Sequence, residues 1–129
     1  MRGERIAFAL AAAAVTAHIV DHLIVGVESS LQFDTVVACA VVTVLAAVAY
    51  PRLPIDTQVV GSIALGLGWL TGDLFVHVLP MIRDGAGATD YTGLAAALGG
   101  ALLIGVGLAA ARRRSAADAE PPLRRAGAA

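Results

Sequence analysis

IAFALAAAAVTAHIVDHLIVGV, residues 6–27, runs for 22 residues with Asp21 as its one carboxylate and no arginine. At about 1.5 Å per residue, a helix of that length covers the ~30 Å of hydrocarbon in a bilayer. The stretch reads as a membrane span. It also holds an anomaly: Thr16, His18, Asp21 and His22 interrupt sequence that is otherwise soluble in hydrocarbon.

Composition agrees with a span. Of 129 residues, 58% are hydrophobic and 15% charged, with a mean hydropathy of +0.80. That is too apolar for a water-soluble domain of this size. The apolar mass is largely Ala, Val, Leu and Gly, small residues that let helices approach closely in lipid. The single cysteine, Cys39, excludes an intrachain disulfide. GSIALGLGWLTG, residues 61–72, is apolar helix rather than a phosphate-binding loop, and the chain contains no lysine. No serine sits in a nucleophile elbow.

Three more apolar runs follow, at 34–50, 57–80 and 91–111. Ser29 and Ser30, Asp56, and Thr89 with Asp90 supply side-chain acceptors at helix starts. Pro51 and Pro54 stop helix continuation between the second and third runs. The connections are short, which favours antiparallel neighbours. The expected fold is all-α: an integral membrane four-helix bundle, up-down-up-down, in one domain over residues 1–111. Residues 112–129, RRRSAADAEPPLRRAGAA, lose apolar periodicity and read as a disordered cytoplasmic tail.

Arginine placement orients the bundle. With both termini cytoplasmic, Arg2, Arg5, Arg52, Arg112, Arg113, Arg114, Arg124 and Arg125 lie inside and Arg83 alone outside. This is a strong positive-inside pattern and points to the cytoplasmic (inner) membrane. Glu28, Asp84 and Asp90 make the outer rim acidic. MRGER followed by an apolar run and VTA resembles a secretory leader cleaved after Ala17. The run continues ten residues past Ala17 to full spanning length, which favours an uncleaved helix.

The polar interruptions are patterned. At about 100° per residue, Asp21 and His22 lie within about 60° of His18 on one helical face. In the third run Asp73 and His77 are four apart, about 40° on one face. Counted from the outer ends of two helices that run the same way, His18, His22, Asp73 and His77 lie at matching depths of roughly 5 to 14 Å. All three histidines of the chain are in these two patches.

An ionisable group at membrane depth costs on the order of 2.5 to 3.5 kcal/mol unless it is paired, hydrated or coordinated. Three imidazoles and two carboxylates suit a divalent transition metal: zinc, or iron in a two-histidine, one-carboxylate arrangement. The candidate ligands are therefore His18, Asp21, His22, Asp73 and His77, serving transport, sensing or hydrolysis. Left-over carboxylates would orient imidazoles. Cys39 lies at a compatible depth but reads as a packing residue. Haem fits less well, because so few aromatics could wrap a porphyrin. The competing expectation is a non-catalytic membrane subunit in which the same residues form a polar network joining the first helix to the third.

Gly68 with Gly72, and Gly93, Gly100 and Gly107, form small-residue stripes expected at helix contacts, within the chain or with a second copy or membrane partner. Trp69 is placed to wall the polar group or simply to pack. The tail carries a charge of +3, suited to anionic headgroups. Nucleic-acid binding is not expected, since no folded basic face with interleaved aromatics appears.

Overall fold

A computed structural model describes residues 2–25, 30–87 and 89–119. The expectations placed on Glu28 and Ser29, and that of a disordered tail over residues 120–129 with Arg124 and Arg125, lie outside these. Among the described residues there are four long helices and no strand: α1 (Arg2–Val25), α2 (Ser30–Ala49), α3 (Ile55–Asp84) and α4 (Asp90–Asp118). α1, α3 and α4 are long and apolar enough to cross a membrane; in α2 the apolar stretch is shorter, Val37–Arg52.

The prolines act as their chemistry dictates. Tyr50–Arg52 forms one 3-10 turn, and Pro54, in an extended conformation, starts α3. The Gln58 amide closes this corner by donating to Tyr50 O at 3.1 Å and Leu53 O at 3.0 Å. At the far end of α3, Gly85 adopts φ +93°, and its N–H donates to Met81 O. That left-handed stop suits glycine alone.

α3 is not uniform. Leu74–Val78 is a π turn in which Leu79 N–H donates to Leu74 O. It ends just before Pro80, whose missing N–H already weakens the helical ladder there. His77 lies inside this turn.

α4 packs against both α1 and α3, and α2 packs against α1. Close approach is possible because of glycine. A Cβ at Gly93 would meet the His77 ring, one at Gly100 would meet the backbone of Leu70 and Gly66, and one at Gly107 would meet Ile63 and Val59. The Gly93, Gly100, Gly107 stripe is thus the α3–α4 seam. Gly68 and Gly72 are not part of it: both are exposed, with open space where a Cβ would stand. Gly66 makes the contact instead. Two residues along a helix turn by about 200°, so Gly66 and Gly68 cannot share a face.

The core divides into two apolar clusters. Phe8, Ala11, Tyr50, Leu103 and Val106 form one, with the Phe8 and Tyr50 rings stacked at 4.5 Å. Val15, Ile19 and Ala96 form the other, with Cys39 and Trp69 packed against it. Both residues therefore pack.

At one end of the molecule three helices are clamped by charge. Arg113 of α4 reaches Glu4 of α1 at 2.6 Å and Gln58 of α3 at 2.9 Å, while Arg114 pairs with Asp56. α4 consequently continues to Asp118, and residues 112–118 are helical rather than disordered. Alanine and arginine are strong helix formers, and the clamp anchors the added turns.

Candidate metal centre

The π turn of α3 and the last two turns of α1 bring the three imidazoles together. Ring centroids of His18 and His22 are 4.6 Å apart, those of His18 and His77 4.7 Å, and those of His22 and His77 5.2 Å. Each ring offers one nitrogen such that all three nitrogens lie within 4.8 Å of one another. His18 and His77 are buried, and His22 is half-buried.

Each buried ring is held from behind. His77 Nδ1 lies 3.2 Å from Asp90 Oδ1, and Asp90 Oδ2 accepts from Gly87 N at 2.5 Å. An ionised carboxylate only accepts, so Nδ1 carries the hydrogen, and in the neutral ring His77 Nε2 presents a lone pair. That Nε2 stands 3.3 Å from His22 Nε2. His18 Nδ1 is 3.0 Å from Thr92 Oγ1, whose hydroxyl lies 2.5 Å from Asp21 Oδ2 and 2.9 Å from Thr89 O. With the hydroxyl donating to Asp21, its oxygen accepts from His18 Nδ1–H, and in the neutral ring His18 Nε2 is then left with a lone pair.

That lone pair faces an acceptor. His18 Nε2 is 3.1 Å from Asp73 Oδ1, and the other Asp73 oxygen is buried with no hydrogen-bond partner. Two acceptors at hydrogen-bond distance, both buried, require a positive charge between or beside them, either a proton or a cation.

All five residues singled out from the sequence come to this region, in different positions. His18, His22 and His77 form the converging set. Asp73 touches His18 directly, whereas Asp21 reaches it only through Thr92. Cys39 belongs to the apolar cluster of Val15, Ile19 and Ala96. Two residues that sequence reasoning missed complete the arrangement, Thr92 and Asp90. Asp90, expected at a helix start, does bind a loop amide, but its second oxygen serves His77. The signal that could have found both is their position beside Gly93, which leads the glycine seam against α3.

No family model, no curated protein and no solved structure matches this chain.

Proposed function

We propose that the chain is an up-down-up-down four-span protein of the cytoplasmic membrane, with both termini in the cytoplasm. In this reading it binds a divalent transition metal through His18, His22 and His77. Asp73 would be a fourth ligand or hydrogen-bond partner, with Asp21 and Asp90 orienting imidazoles.

The membrane reading is supported by an inside-out distribution of polarity. Ile24 is 77% exposed, Phe75 67% and Leu98 64%, while His18, Asp73 and His77 are buried. Lipid makes that arrangement favourable and water does not. The topology is supported by the clamp joining Glu4, Gln58 and Arg113, because His22 meets His77, and His18 meets Thr92, toward the opposite ends of the same helices. α1 and α3 would run one way and α4 the other. Six arginines of the described chain, 2, 5, 52 and 112–114, then share the clamped end, as the positive-inside rule requires of a cytoplasmic face.

The observation that carries the metal reading is the 3.3 Å between His22 Nε2 and His77 Nε2. It is long for a hydrogen bond to nitrogen. Two nitrogens bound at 2.0–2.1 Å to one tetrahedral zinc ion stand about 3.3 Å apart. The backing of His77 by Asp90, and of His18 by Thr92 and Asp21, is the carboxylate support that metal-bound imidazoles have. The same spacing leaves no room for a porphyrin between the two rings, so a bare ion fits better than haem.

Elemental analysis of the full chain, purified in detergent without chelator, tests this. The expected result is about one zinc or iron per chain, falling below a tenth in the His22→Ala, His77→Ala double variant. Less than a tenth in the unmutated protein contradicts metal binding. It leaves the competing reading, in which a proton shared by His18 and Asp73 only ties α1 to α3.

A further inference from the structure

We propose a binding site for one anionic phospholipid at the clamped end of the bundle, remote from the histidines. It rests on the membrane reading and not on the metal. A crevice of about 190 Å³ opens there between α2 and α3. Phe8, Val42, Ala46 and Leu65 give it apolar walls. Gly61 leaves one side open, with nothing within 4 Å of where its Cβ would be.

The crevice is not simply unfilled hydrocarbon surface. Ser62 lines it, is 2% exposed, and its hydroxyl has no hydrogen-bond partner. A buried unpaired hydroxyl is costly, and an acceptor in the crevice would relieve it. The Tyr50 ring forms the boundary with a second, polar notch, lined by Glu4, Arg5, Pro51, Gln58 and Arg113.

Charge selects the headgroup. Glu4 is occupied by Arg113 and Asp56 by Arg114, while Arg5 and Arg52 are exposed and have no carboxylate partner among the described residues. Ser62 lies four residues beyond Gln58, about 6 Å deeper along the axis. One acyl chain therefore fills the crevice, its ester carbonyl accepts from Ser62, and its phosphate rests against Arg5 and Arg52. A basic pocket between helices at the cytoplasmic face is where such headgroups bind.

Native mass spectrometry of the full chain with added phosphatidylglycerol or phosphatidylcholine tests the site. We expect one phosphatidylglycerol per chain to be retained in preference to phosphatidylcholine. Replacing Arg5 and Arg52 singly by Ala reduces that preference about fivefold each. Gly61→Leu fills the crevice and abolishes retention, while Gly68→Leu, an equally open position on α3 outside the crevice, leaves it unchanged. Equal retention of the two lipids, or full retention by Gly61→Leu, overturns the proposal. Release of the chain from membranes by alkaline carbonate would instead overturn the membrane reading on which it rests. The His22→Ala, His77→Ala variant should retain lipid normally.

Discussion

His77 Nδ1 and Asp90 Oδ1 stand 3.2 Å apart across the connection that joins α3 to α4. The carboxylate is shared, since its other oxygen accepts from Gly87 N. Asparagine cannot serve both donors, because its amide would face either His77 Nδ1–H or Gly87 N–H with another N–H. Asp90→Asn should therefore weaken zinc binding by about 10- to 100-fold with helix content unchanged. Competition against a chromophoric chelator measures this, and an unaltered affinity would remove Asp90 from the account.

Among the described residues, Thr92 is the one link between Asp21 and His18. Thr92→Val keeps the shape of the side chain and strands two partly buried polar groups. The expected loss of stability is about 1–3 kcal/mol, read as a lower midpoint in thermal unfolding of the detergent-solubilised protein. Thr92→Ser, which keeps the hydroxyl, should stay near the parent.

The glycines of α3 and α4 should divide sharply by face. Gly93→Ala drives a methyl group into the His77 ring, and Gly100→Ala drives one into the Leu70 backbone. Each should cost about 1–3 kcal/mol, and Gly93→Ala should also lower metal content. Gly68→Ala and Gly72→Ala meet open space and should be neutral or stabilising by up to about 1 kcal/mol, the helix preference of alanine over glycine. Thermal midpoints of the four variants check the ordering.

Topology can be read by labelling in a Cys39→Ala background. In intact cells an impermeant maleimide should modify D84C and spare R52C and S115C until the membrane is opened. Labelling of S115C in intact cells would place the carboxyl end outside.

Much of the bundle was legible because hydrocarbon imposes a length. Runs of about 20 apolar residues mark helices wherever they occur, and α1 and α3 appear close to their expected places. The histidine patches were legible for a related reason: helical geometry converts the spacing of His18 with His22, and of Asp73 with His77, into shared faces.

What escaped depends on contacts between helices. Residues 112–118 lose apolar periodicity but are held in α4 by Glu4, Gln58 and Asp56, which are more than 50 residues away in the chain. The π turn at Leu74–Val78 left only Pro80 as a trace. Gly68 and Gly72 have the right spacing and the wrong face, because spacing does not say which side of a helix meets its neighbour. The same gap hid Asp90 and Thr92, whose roles follow from the register of α4 against α1 and α3.

The central claim is that His18, His22 and His77 share one ion. X-ray absorption at the zinc edge, on the full chain loaded with zinc and freed of excess metal, addresses it most directly. The account predicts three imidazole nitrogens at about 2.0–2.1 Å and one oxygen at about 2.0–2.2 Å, with imidazole scattering lost in the His22→Ala, His77→Ala variant. A shell of sulfur at about 2.3 Å, or of oxygen alone, would contradict it.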